Sequence, residues 1–484
     1  MLISSGEEDV MQHTRKIAIV ACFATAAHAQ FLNGFVEFEN PMDFQIEGAE
    51  KIIDAVMDDF DGDGDPDLVL YTREDLKNPD DPPNDAAYHI RLYSNDGTGY
   101  FQLTNTESIR DGDGLAFALK AADLNDDGLP DLVTLSRVFS SSGFDDKLVI
   151  LLNTGGFSFF GPIYYNSPGA YHDIAIADID NDNDLDILVA SAFDVINYHR
   201  GNGSGTVFNL VDLIETGNGS TTGDSPDLLS VADFNLDGLP DIASWNFNSR
   251  DISMLYQRPN GLFWDSIFTT IVDPGPDEAY TMKQHDVDGD NEPDLVIPFS
   301  AIEPLHVLFN DHNAGNESFP NFDTFTDTIP NTGNARDFAF IPIDCSNDSI
   351  NDLVTVNDRV RVFVGLGGSA FSASPLYTGP EITLLEGSPR LLIDDTDNDG
   401  DTDIVHVDLV RFFGGNEVRL LRNRCTEPPC PADFTDDRML TFFDVSQFLE
   451  AYNAGDPAAD INDDGMINFF DVSAFLASYN KGCP

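Results

Sequence analysis

Short apolar runs alternate with acidic turns along most of this chain, and the alternation has a long period. In seven places an apolar run ends at a polar residue, acids, amides or in one copy a serine follow at every second position, and a second apolar run begins at Asp-Leu or Asp-Ile. The copies are Asp59, Asp61, Asp63, Asp67; Asp123, Asn125, Asp127, Asp131; Asp178, Asp180, Asp182, Asp186; and Asp233, Asn235, Asp237, Asp241. The remaining three are Asp286, Asp288, Asp290, Asp294; Asp344, Ser346, Asp348, Asp352; and Asp395, Asp397, Asp399, Asp403. Their first members are 64, 55, 55, 53, 58 and 51 residues apart. Behind each copy comes a second strand, such as 68–70 or 187–190, then a third strand and an Asn/Gly turn before an aromatic, clearest in 151–157. Four short strands per repeat is the size of one propeller blade, and seven blades close a ring. A nonapeptide β-helix, the other architecture rich in aspartate repeats, has a period of 9, far below the 51–64 found here. The seventh copy stops after its third strand at 418–421, and residues 32–38 (LNGFVEF) have the pattern of the missing fourth. The expectation is that this N-terminal segment pairs into the seventh blade and removes the exposed edges.

Oxygens at positions one, three, five and nine of a tight loop suit a hard cation, since Ca²⁺ takes six to eight oxygen ligands. A carbonyl at position seven and water would complete the set. Position six is Gly64, Gly128, Asn183, Gly238, Asn291, Ser349 or Gly400, mostly residues that tolerate a left-handed backbone. Position eight is proline in four copies (Pro66, Pro130, Pro240, Pro293), which stiffens the loop. Solvated acidic turns are the alternative reading, and the regular spacing argues against it. Ser346 and Ser349 make the sixth copy the poorest. These repeats resemble FG-GAP/VCBS repeats, the Ca²⁺-loop blades of integrin-α-type and many bacterial secreted propellers, over roughly residues 31–424. The D-x-D-x-D-G-x-x-D core is specific for fold. For function the resemblance implies only a range: adhesins, lectins and some polysaccharide lyases.

After residues 425–429, taken as a linker, a 27-residue duplication begins. Asp433, Thr435, Asp437 and Asp444 precede Val-Ser-x-Phe-Leu, and Asp460, Asn462, Asp464 and Asp471 precede the same motif. Each is a twelve-residue EF-hand-like loop leading into an amphipathic helix, with Asp replacing the final Glu. Side by side the halves resemble a dockerin, which implies docking onto a cohesin-like or cell-surface scaffold. Arg438 stands where the first loop expects glycine, so its site is the weaker one. A two-helix cap that closes the propeller is the other reading. Calcium is thus expected at up to seven propeller loops and two C-terminal loops. The fold class is an all-β seven-bladed propeller (30–424) followed by a small all-α domain (430–484).

Charge sharpens this picture. With 24 Lys+Arg against 85 Asp+Glu the formal charge is −61, which excludes a binder that works by phosphate neutralisation and makes bound cations valuable. Arg15-Lys16, an apolar run from 17 to 27 and Ala27-His28-Ala29 make residues 1–29 a secretory signal, with Met11 as the start, so export is expected. The run is too short to span a bilayer, which takes about 20 apolar residues. Export makes disulfides plausible for the four remaining cysteines. Cys430 with Cys483 is favoured because these two bracket the last domain, leaving Cys345 and Cys425.

Catalytic signatures are missing: no H-E-x-x-H, G-x-S-x-G, Walker loop or zinc-type cluster occurs. Propeller geometry puts any ligand site opposite the acidic loops. Trp245, Phe247 and Arg250 are expected in a blade-four loop there, with His172, Asp173, Arg336, Asp337 and Arg390 around the channel. The functional expectation is a non-catalytic carbohydrate- or protein-binding adhesion module. A polysaccharide-degrading lyase or glycoside hydrolase is the alternative, and a purely structural role remains if neither holds.

Overall fold

The computed structural model of the chain describes residues 42–45, 50–74, 88–109, 118–140, 143–191, 193–216, 225–258, 267–269, 279–299, 305–310, 327–329, 332, 335–341, 343, 350–379, 388–409, 417–423, 432, 434, 442–455, 459, 461 and 466–481. Among these the strands form seven antiparallel sheets of four. Blade one consists of Glu50–Asp58, Asp67–Glu74, Tyr88–Asn95 and Phe101–Ile109, in that order from inside to outside. Blades two to six repeat the order, and first strands of neighbouring blades pack together around the axis. The second strand of each blade lies between its neighbours, and Asp67–Glu74 and Asp186–Ser191 accordingly bury side chains on both faces.

Seven apolar clusters fill the seven gaps between blades. One joins Val69, Tyr71 and Leu92 of blade one to Leu132, Val149 and Leu151 of blade two. Another joins Leu68 and Leu70 of blade one to Val405, Val407 and Val418 of blade seven, so the wheel is closed by packing. Each fully buried Leu, Ile, Val or Phe contributes about 1.5–3 kcal/mol by leaving water.

Closure also uses the N-terminus, with a different segment from the one expected. Met42–Gln45 forms the outermost strand of blade seven, with Met42 opposite Leu420 and Gln45 opposite Glu417. Residues 32–38, given that role from their pattern, lie outside the described residues, as do the signal-like segment, the linker and all the cysteines, including Cys430 and Cys483.

The C-terminal duplication forms two short helices, Phe442–Ala454 and Phe469–Lys481. Phe448 and Phe475, equivalent in the two copies, stack at 4.1 Å in a small core with Ala432 and Ala459. The second helix is capped reciprocally. Asn468 Oδ1 accepts the Phe470 amide at 2.9 Å, and Asp471 Oδ2 accepts the Asn468 amide at 2.6 Å. No helix among the described residues is long and apolar enough to cross a membrane.

Candidate functional site

The six described acidic loops join the first and second strands of their blades at one end of the wheel, as the repeat spacing implies. In blade one, Asp59 at position one accepts the amides of Gly62 (2.7 Å), Asp63 (3.1 Å) and Gly64 (2.9 Å). The same bonds to positions five and six recur from Asp123, Asp178, Asp233, Asp286 and Asp395. Two left-handed residues make this convergence possible, at positions four and six: Gly62 and Gly64, Asn181 and Asn183, Gly289 and Asn291, Asn398 and Gly400. The position-six turn was legible from its Gly/Asn pattern. Position four was not, because it varies among Gly, Asn, Asp126 (φ 57°) and Leu236 (φ 58°), and leucine takes that backbone against its preference.

Position nine has a structural duty too. Asp67 Oδ2 accepts the Phe60 amide at 3.0 Å and Oδ1 accepts the Asn95 amide at 2.9 Å. The Asn95 side chain then donates to Thr396 O in blade seven at 2.8 Å. Asn153, Gln257, Asn310 and Asn423 reach in the same way to Phe60, Ile179, Phe234 and Ile343 of the preceding blade. Sequence reasoning took the asparagine for a turn former only. In blades three and six the position is Gly201 and Gly365, where a Cβ would collide with the carbonyls of Leu185 and Asn351.

The sixth loop differs in register. Its closing acid Asp352 caps the Ile343 amide at 3.1 Å and pairs with Ile341, the places that Phe60 and Asp58 hold against Asp67. Asn423 also reaches Ile343 O. The loop is therefore two residues longer than its motif suggests, and the residue before Ile343 is Pro342 where the other blades have aspartate. Asp344, Ser346 and Asp348 themselves lie outside the described residues.

Oxygens of Asp59, Asp61 and Asp67 lie within 4.8 Å of one another, as do those of Asp178, Asp180 and Asp186, of Asp286, Asp288 and Asp290, and of Asp395, Asp397 and Asp399. Two oxygens bound to one Ca²⁺ at about 2.3–2.6 Å are at most about 5 Å apart, so the spacing fits such an ion. Asp180 Oδ1 is buried without a hydrogen-bond partner, a further sign that the cluster suits a cation. Burial pushes the carboxyls of Asp67, Asp241, Asp294 and Asp403 up to about 7 and Asp131 up to about 6, with neighbouring loop acids adding to the rise. The clusters could hold metal ions.

Of the C-terminal loop residues, Asp444 and Asp471 are buried in the helices' first turns. Asp433, Thr435, Asp437, Asp460, Asn462 and Asp464 lie outside the described residues.

Opposite-face expectations fare unevenly. Trp245 is not in a loop: it belongs to the strand Asp241–Asn246, is 1% exposed and packs edge-on against Phe299. Its place four residues after Asp241 puts it inside the doubly buried second strand. Phe247 and Arg250 do lie in the following turn, with Phe247 43% exposed, and blade three offers the exposed Phe193, which the pattern did not single out. His172 pairs with Asp227, and Arg336 lies 5.1 Å over the Tyr280 ring.

The channel residues form a ring that links every blade to the next. Arg390 bonds Asp54 Oδ1 at 2.6 Å (blades seven and one), and Asp54 Oδ2 accepts the Leu119 amide of blade two at 2.8 Å. Lys120 lies 3.4 Å from Asp173, which accepts the Leu229 amide of blade four at 3.1 Å. Ser230 donates to Gln284 at 2.5 Å, Lys283 bonds Asp337 at 2.6 Å, and Asp337 accepts the Leu391 amide of blade seven at 2.9 Å. Asp173, Asp337 and Arg390, named as ligand candidates, are thus engaged in holding the wheel. Burial works against the Arg390 charge, but Asp54, Asp337 and Asp173 more than offset it. At the far end of blade one, Glu50, Glu74 and His89 also cluster, although Arg91 forks onto Glu50 and answers its charge.

The fold and these loops define a seven-bladed propeller with acidic, cation-suited turns. Residues 59–134 and 138–189 match the family described as FG-GAP-like repeat, so the chain carries FG-GAP-like repeats in its first blades. No curated protein matches the chain. Similar solved structures include BBS1N in complex with ARL6DN (10% identity, 79% of this chain and 96% of that one, TM-score 0.48). An Agrocybe aegerita lectin that recognises non-reducing terminal N-acetylglucosamine is similar at 16% identity, 70% and 90% coverage and TM-score 0.44. The periplasmic gluconolactonase PpgL of Pseudomonas aeruginosa is similar at 14% identity, 67% and 83% coverage and TM-score 0.40.

Proposed function

We propose that this is an exported, calcium-braced propeller that acts as a non-catalytic binding module for carbohydrate or protein, held to a surface or scaffold by a dockerin-like C-terminal pair. The observation that carries the reading is the repeated loop. Six loops place a position-one carboxylate on the amides of a doubly left-handed turn, and in four of them three carboxylates face one another within 4.8 Å. Such loops gain stability from divalent ions and leave the opposite face free to present turns, including those of Phe193 and Phe247. Docking is supported by apolar side chains exposed on or beside the C-terminal helices. Leu449 and Leu476 stand at equivalent positions, and Phe469, Phe470 and Met466 lie beside the second helix's start.

The test is to incubate the calcium-loaded full chain with a panel of neutral and acidic polysaccharides. Retention of the protein without new reducing or unsaturated ends supports a binding module. Product release would replace it with the polysaccharide-degrading reading.

A further inference from the structure

Loops one and three look alike in sequence: aspartate stands at positions one, three, five, seven and nine of both, from Asp59 to Asp67 and from Asp178 to Asp186. They differ in what reaches them from the third strand. The residue before the amide held by the closing aspartate is Ser94 in blade one and Arg200 in blade three. Arg200 Nε lies 2.6 Å from Asp180 Oδ2 and its Nη2 lies 2.7 Å from Asp182 Oδ2, so one guanidinium forks across positions three and five. The equivalent residues elsewhere are Leu152, Tyr256, Phe309, Val364 and Arg422. Arg422 is turned toward blade one, where it donates to Thr98 O, and its Nε stays 3.8 Å from Asp397. Loop three therefore has a guanidinium forked across two of its own carboxylates, where loop one has only the short Ser94 side chain at the same place.

We propose that Arg200 is a tethered counter-cation that makes loop three a weaker site for a divalent ion than loop one and lets it keep its shape better without the ion. This rests on the reading that the loops hold such ions. The guanidinium takes Oδ2 of both Asp180 and Asp182 and leaves the buried Asp180 Oδ1 without a hydrogen bond. A divalent ion can still enter, but against a fixed positive charge a few ångströms away. Coulomb repulsion at that range, even in a water-like dielectric, weakens binding roughly tenfold. When calcium falls, loop three empties before loop one, and its carboxylates are already partly neutralised.

The experiment is a series of crystals of the full chain soaked at rising, sub-saturating Tb³⁺, with the anomalous occupancy read loop by loop. Wild type should fill loop one at about tenfold lower Tb³⁺ than loop three. Arg200→Met should bring the two together, and Ser94→Arg should delay loop one. Melting gives a second readout: Arg200→Met should lower the melting temperature in EGTA and leave it unchanged or raised in saturating calcium. Equal filling of loops one and three in wild type, or a ratio untouched by Arg200→Met, overturns the proposal while the metal-loop reading stands. Empty propeller loops at every Tb³⁺ concentration would remove both.

Discussion

The loop face and the central channel both depend on aspartates, and they satisfy them differently. In the channel Asp54, Asp173 and Asp337 each meet a cation from the preceding blade and a backbone amide from the following one. Charge is matched there by the chain itself. At the loop end, five buried closing aspartates have carboxyls pushed up to about 6 or 7, and their charge is answered by amides and by further acids. Two ways of bracing one wheel follow. The channel is self-sufficient, whereas the loop face is built to gain from an added cation. The −61 formal charge is consequently not spread as a uniform burden, because the innermost acids are already neutralised.

The largest test of this contrast is removal of divalent ions. Each loop saturated at about a hundred times its dissociation constant adds roughly 2.7 kcal/mol to stability. With several loops filled, EGTA should lower the melting temperature by on the order of 10 °C in scanning calorimetry. An unchanged melting point would remove the distinction between the two ends.

Next comes a reversal of pH dependence. In EGTA the closing carboxyls of Asp67, Asp241, Asp294 and Asp403 have folded values of about 7, above the ordinary 3.8. A group raised on folding contributes stability that is complete below its unfolded value and is lost as pH climbs through the folded one. Acidification from pH 8 to pH 5 should therefore stabilise the metal-free protein, by on the order of 2 kcal/mol per carboxyl. With calcium present, protons compete with the ion and the same acidification should destabilise. Melting curves at both pH values, with and without calcium, check the sign.

A smaller effect probes the channel. Arg390→Met leaves Asp54, 1% exposed, with its amide partners alone. Loss of one partner from a dry buried pair costs about 3–5 kcal/mol, and the 28% exposure of the Arg390 side chain reduces this to about 2–3. The loss should be the same in EGTA and in calcium. A calcium-dependent loss would mean that the two ends are coupled.

What the sequence disclosed follows the range over which each interaction acts. The loops were legible because position one and the amides it holds lie within five residues. The two extra residues of the sixth loop were not legible, because they show only in how far back Asp352 reaches, to Ile343. The channel ring was invisible as a network, since Arg390 and Asp54 are 336 positions apart and meet only when the ring closes. The closing strand was anticipated in kind but misplaced, because Met42–Gln45 pairs through backbone bonds that leave a weak mark on the side-chain pattern. Trp245 shows the converse error: an aromatic near a turn is legible as exposed only if the strand's end is known, and this strand runs to Asn246.

The smallest predicted effect concerns the seams at the loop end. Asn153 spans one of them, its side chain donating to Phe60 O at 2.8 Å and to Pro130 O at 3.2 Å. Asn153→Ala leaves its own backbone bond to Asp131 in place and strands two buried carbonyls, a loss of about 1–2 kcal/mol in urea unfolding. Blades three and six do without such a side chain, because Gly201 and Gly365 leave no room for a Cβ. In blade three Tyr198 instead donates to Asp186 at 2.9 Å, and Gly201 still gives its amide. If Asn153→Ala costs nothing, the asparagine bonds are decoration and the seams rest on apolar packing alone. If it costs the expected amount and Gly201→Ala costs more, then the two kinds of blade solve one joint in ways that cannot be exchanged, and glycine is as necessary in blade three as the amide is in blade two.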